Sequence, residues 1–237
     1  MPRRRNKITM NLLLSLVVGA NILFGAGCGG SAATRPAAPA AEIGDKLTIP
    51  VVELRGDGAA LGSEHGKQMR QNIRSLHQEY FGKWFKNEFQ HRAALWTAGG
   101  FQKHLDPQHR AEIAALAKSI ELPEGEVLLG NCFLDLISIT ACSTVTLPAD
   151  AAPDGVARFG RNLDFPGFDV ADKHSVLLIV HPKGRYSFAS ISWPGLVGVL
   201  SGMNEHGLAI ANMEVRRSRS LPRAMPHPLL HSCPRQS

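Results

Sequence analysis

Cysteine is scarce in this chain, with four among 237 residues: Cys28, Cys132, Cys142 and Cys233. None stands in a CxxC pair or at a Cys/His ligand spacing, so nothing suggests a zinc site, and no metal or organic cofactor is expected. Four cysteines are also too few to staple a chain of this length as a disulfide framework. At most a single Cys132–Cys142 bridge is open to it in an oxidising compartment. Basic side chains interleaved with aromatics are missing too, which argues against a nucleic-acid partner. The chain shows no internal repeat. What remains is an ordinary globular composition, 44% hydrophobic and 19% charged, sufficient for a sizeable core.

The N-terminus has a clear layout. Arg3, Arg4, Arg5 and Lys7 form a basic start, Ile8 to Phe24 is an apolar run, and Gly25-Ala26-Gly27 places small residues before Cys28. This is the pattern of a bacterial secretory signal over residues 1–28, with Cys28 at the cut as a lipidation site. Gly25 departs from the usual lipobox, which has Leu there, so a plain signal peptide or an uncleaved anchor stays open. The expectation is an exported protein held to the cell envelope by a lipid on Cys28 and facing the periplasm. Residues 29–45 are Ala/Pro-rich and read as a tether. Without the four basic residues of the start, the formal charge falls from +6 to +2 and says little about partners.

The body opens with an alternating stretch that ends at Gly56 and predicts a first strand. From Ala59, apolar residues recur at three- and four-residue steps (Leu61, His65, Met69, Ile73, Leu76, Tyr80), which predicts a helix. Residues 81–101 read as largely helical. Asp106-Pro107 marks a further helix start, with Asp as cap and Pro in the first turn. Residues 124–139 read as another helix with Cys132 in its core. After Thr140 the texture becomes β, with strands expected at 143–147, 156–161, 176–181, 186–193, 196–202 and 208–215. A helical segment (46–141) followed by an antiparallel sheet predicts an α+β domain.

Two patterns carry chemistry. Ala141-Cys142-Ser143-Thr144 opens a strand, and Gly160-Arg161-Asn162-Leu163-Asp164-Phe165 closes the next one. A hairpin between them would bring Arg161 and Asp164 to Cys142. A thiol is weakly ionised near neutral pH and needs an adjacent base or positive charge to act as a nucleophile. Read alone, Cys142 could equally be an inert buried thiol, and Arg161 with Asp164 a surface ion pair. His174, His181 and His206 could each be drafted into a cysteine–histidine dyad, although the papain-like glycine and tryptophan context is absent.

With Glu53-Leu54-Arg55-Gly56, Leu61-Gly62, His65-Gly66 and Gly202-Met203-Asn204-Glu205-His206-Gly207-Leu208-Ala209 added, the chain resembles the cysteine N-terminal-nucleophile (Ntn) hydrolases. The likeness is to their penicillin acyltransferase-like branch, related to acid ceramidase and bile salt hydrolase. The resemblance implies an αββα sandwich and a precursor that cuts its own Ala141–Cys142 bond, so that residues 142–215 begin the nucleophile segment. It further implies Cys142 as nucleophile, Arg161 beside it, Asp164 on the new α-amine and an Asn side chain at the oxyanion, for which Asn212 is the nearest candidate. The partner implied is a small-molecule amide or acyl substrate; oligomeric state has no signal. The Arg/Ser/Pro-rich tail, 216–237, suggests a truncated or frame-shifted end. A catalytically defunct lipoprotein that keeps part of the fold is therefore the alternative expectation.

Overall fold

A computed structural model describes residues 49–136 and 141–213. The signal, Cys28, the tether, the end of the helix expected to reach residue 139, Cys233 and the tail lie outside the described residues. Strand β1 (Val51–Gly56) leads into helices α1 (Gly58–Trp84), α2 (Glu88–Gly99), α3 (Pro107–Ile120) and α4 (Glu124–Leu136). Strands β2 (Ala141–Leu147) and β3 (Arg158–Asp164) form an antiparallel hairpin. Then β4 (Val176–Pro182), β5 (Phe188–Ser192), β6 (Ser201–Asn204) and β7 (Ala209–Ala211) join β1 in a second sheet of order β1-β4-β5-β6-β7.

The class is α+β, but the expected antiparallel sheet is a mixed one. β1 runs parallel to β4, with Val51 opposite Leu177, and the remaining pairs are antiparallel. A strand that precedes the helices therefore joins strands that follow them. Two strand boundaries are also corrected. The strand expected at 156–161 is β3, which starts two residues later and ends three later, because Asp154 accepts the Val156 N–H at 3.2 Å and pairs with Arg158, holding the turn open longer. The apolar stretch 196–200 is a buried connection and not a strand; only 201–204 is extended into the sheet.

The helices form where the apolar spacing and caps predict them. Asp57 accepts the Ala60 N–H at 3.0 Å at the start of α1, and Asp106 accepts the Gln108 N–H at 2.8 Å at the start of α3. α1 and α3 pack at very short range because Gly58, Gly62 and Gly66 recur every four residues along one face of α1. A methyl group on Gly62 would lie 2.0 Å from the Glu112 carbonyl oxygen, and one on Gly66 would lie 2.4 Å from Ser119 Cβ. His65 and Gly66 thus serve packing. Val52 and Leu54 of β1 and Val176, Leu178 and Val180 of β4 meet Leu61 and Ile73 of α1 and Ile113, Leu116 and Ile120 of α3 in one core.

Two buried polar side chains fix the connection between β5 and β6. His65 Nε2 accepts the Gly195 N–H at 3.1 Å, and Asn131 bonds both the Gly195 carbonyl (3.0 Å) and the Val197 N–H (2.7 Å). An internal loop needs such partners because its backbone polar groups have lost water. Burial depresses the His65 pKa to about 4, so the ring stays neutral and remains an acceptor.

Replacement of Gly62 by Ala should destabilise the fold by about 3 kcal/mol in urea unfolding. Gly82→Ala, whose methyl would meet nothing within 4 Å, should be neutral or stabilising by about 0.5 kcal/mol. The depressed His65 pKa gives a second expectation. Below its ordinary pKa of 6.5 the unfolded chain takes up a proton that the folded chain refuses until about pH 4. Stability relative to a His65→Gln variant should therefore fall by about 3 kcal/mol between pH 6.5 and 4, and level off below.

Candidate active site

The hairpin puts Cys142 one residue inside β2 with Leu163 directly across from it, while Arg161 faces Thr144. Cys142, Thr144, Arg161 and Leu163 therefore share one face of the ribbon, and Ser143, Asn162 and Asp164 share the other. Arg161 curls back along its face, so that Nη2 lies 3.5 Å from Cys142 Sγ. The same Nη2 donates to the Asn212 carbonyl at 2.6 Å, and Nη1 donates to Ser201 Oγ at 2.9 Å. Ser201 lies in register with Ile191, Leu177 and Val51 across the main sheet. That is the opposite face to the one on which Val52 and Leu54 enter the helical core.

Arg161 is half-buried, and desolvation is the main influence lowering its pKa; the Cys142 sulfur and then Asp164 act against that. Its Nε is buried and has no hydrogen-bond partner among the described residues. An unanswered N–H of this kind costs about 1–3 kcal/mol.

Asn212 reaches the site through its backbone. Its N–H continues the β6–β7 ladder by bonding the Leu200 carbonyl at 2.8 Å, and its own carbonyl lies 3.9 Å from Cys142 Sγ, where it accepts from the thiol. Asp164 is exposed and pairs in register with Ala141, one step from Cys142. It accepts a hydrogen bond from Asn162 Nδ2 at 2.9 Å. Ser201, which steadies the guanidinium, was not singled out by the sequence; only the β5–β6–β7 register reveals it.

The competing assignments resolve as follows. Cys132 and Cys142 are both free thiols. Cys132 is fully buried on α4, and burial, aided by Asp135, pushes its pKa up to about 12, so it is inert near neutrality. His181 bonds Ser187 and Glu53, and His206 packs edge-on to Tyr186, so neither serves Cys142. Asn204 is a turn residue whose Oδ1 accepts the His206 and Leu208 N–H groups. Among the described residues no cluster of His, Cys, Asp and Glu is suited to a metal, and no helix is long and apolar enough to cross a membrane.

The aromatics of α1 are core, as their spacing implies. Tyr80 stacks on Phe165 and donates its hydroxyl to the Pro166 carbonyl at 2.9 Å. Together with Phe81, Phe133 and Trp193 they also wall an apolar cavity of about 100 Å³, which His77 and Glu126 line as well, His77 Nε2 lying 3.0 Å from Glu126 Oε2. Phe165 directly follows Asp164, which ties this wall to the hairpin.

No protein-family model and no curated protein matches the chain.

Removal of the guanidinium in Arg161→Met should slow alkylation of Cys142 by iodoacetamide at pH 7 by about tenfold, followed peptide by peptide in a mass spectrometer. An unchanged rate would show that Arg161 does not act on the sulfur.

Proposed function

We propose that this protein is an exported, self-processing cysteine amidohydrolase or acyltransferase of the N-terminal-nucleophile type. It would act on a C–N amide bond through an acyl-thioester on Cys142, in an αββα sandwich, with the Cys28 lipid holding it to the envelope. The observation that carries the reading is the 3.5 Å approach of Arg161 Nη2 to Cys142 Sγ at the head of a strand. Asp164, one register step away, adds to it.

In the first reaction Sγ adds to the Ala141 carbonyl carbon. The C–N bond to Cys142 breaks as the nitrogen takes the thiol proton, and a thioester links Ala141 to Sγ. Water then cleaves the thioester, releasing Ala141 as a carboxylate and returning the thiol. Cys142 now carries a free α-amine, whose ordinary pKa near 8 suits it to accept the thiol proton, so no histidine is needed. Asp164, paired with Ala141 in register, is the carboxylate placed to hold that amine in its ammonium form between steps.

In turnover the amine takes the thiol proton and Sγ attacks the substrate carbonyl. The substrate's amine leaves with that proton, and the acyl group passes from sulfur to water or to another amine. Arg161 orients the substrate through the guanidinium beside Cys142. The Tyr80–Phe165–Trp193 wall offers an apolar surface for the small-molecule acyl group.

A series of straight-chain acyl anilides tests this directly. Brief incubation should add one acyl mass to the peptide that begins at Cys142, and hydroxylamine should remove it. Asp164→Asn should slow acylation by about a hundredfold, and Cys142→Ala should abolish it. No adduct at any chain length, or an adduct on Cys132, would count against the proposal.

A further inference from the structure

Helix α2 buries one face and leaves the opposite one bare. Ala98 is wholly buried, and Ala94 and Leu95 pack against the core beside the half-buried His91. Phe89 and Trp96, by contrast, are 81% and 83% exposed, more than any other large apolar residue described. Seven residues return a helical side chain to within about 20° of where it began. Both rings therefore stand on the outermost line of the helix, about 10 Å apart along its axis. Arg92 and Ala93, also exposed, lie between them.

A single exposed hydrophobe needs no explanation, but two aromatic rings aligned on one helix do. Their exposed area is on the order of 300 Å², well short of the roughly 800 Å² per partner that a stable protein interface buries. A helix that docks in a protein groove also presents apolar anchors at successive three- and four-residue steps, and Arg92 interrupts this line. A bilayer surface asks for less. Trp and Phe settle among headgroups without a shaped pocket, and basic side chains beside them meet anionic lipid. The stretch 82–104 has that charge: Lys83, Lys86, Arg92 and Lys103, all exposed, against Glu88 alone. Of the acids that reach it from α4, Glu126 holds the half-buried His91 at 3.0 Å and Glu124 accepts from Gln102 at 3.1 Å.

We propose that the outer face of α2 rests on an anionic lipid bilayer, with Phe89 and Trp96 in the headgroup layer and Lys86, Arg92 and Lys103 on lipid phosphates. The helix has 12 residues and is about 18 Å long, so it lies along the surface and does not span it. For one step the inference rests on the proposed lipid anchor at Cys28. Residues 29–48 separate that cysteine from the described body, and a linker of this length reaches at most about 70 Å. An anchored chain then meets the bilayer as an intramolecular partner at high effective concentration, and a face of two rings suffices.

Tryptophan fluorescence of the full chain on phosphatidylglycerol vesicles with brominated acyl chains tests this. The Trp96 emission is the difference between the unaltered chain and Trp96→Phe, in which the half-buried Trp84 and Trp193 cancel. It should shift to the blue and be quenched at least about twofold relative to unbrominated vesicles. Lys86→Glu combined with Arg92→Glu should relieve the quenching. All three substitutions fall on exposed side chains, so the fold is retained. An unquenched Trp96 would overturn the proposal, as would quenching indifferent to the charge reversal. A blue shift that appears without vesicles and grows with protein concentration would make a second copy the occupant and equally overturn it. Intact mass of the same samples reports the lipid on Cys28 and cleavage at Ala141–Cys142, so a failure of the proposed function is read separately from a failure at α2.

Discussion

The candidate active site is organised by one half-buried guanidinium. Arg161 starts on β3, but its three contacts lie on β2, at the start of β6 and just past the end of β7. A positive charge leaving water needs compensation from fixed partners, and here a serine hydroxyl, a backbone carbonyl and the sulfur of Cys142 provide it. Holding Arg161 therefore requires the hairpin and the far end of the main sheet to be in register together. The same contacts place Cys142 beside both a donor and the Asn212 carbonyl acceptor.

The helical layer positions that sheet. The glycine series on α1 lets α3 approach to backbone contact, and both helices then cover the β1–β4 face. His65 and Asn131 reach from α1 and α4 to hold the connection that delivers Ser201. The route from helix packing to the site is thus a short series of buried polar contacts, each of which would be costly to leave unmade.

Legibility from sequence followed the range of the interaction. α1 and α3 were readable because their apolar spacing and the Asp57 and Asp106 caps are local. The hairpin was readable as well, since two neighbouring strands need only a turn, although the Asp154 turn delays the start of its second strand. The β1–β4 parallel pair was not, because it joins segments on either side of four helices. Residues 196–200 mimic a strand by composition, and only distant His65 and Asn131 explain how their backbone can be buried otherwise. At the site, Cys142, Arg161 and Asp164 were found as residue types. Ser201 and the Asn212 carbonyl contact depend on tertiary geometry that no spacing encodes.

Self-cleavage of the Ala141–Cys142 bond is the event from which the proposed catalysis follows, since it creates the amine that serves the thiol. N-terminal sequencing and intact-mass measurement of the purified full-length gene product test it without a substrate. The account predicts a fragment that begins Cys142-Ser143-Thr144 in the unaltered protein and its complete absence in Cys142→Ala. A single uncut chain after prolonged incubation, or cleavage that persists in Cys142→Ala, would contradict it.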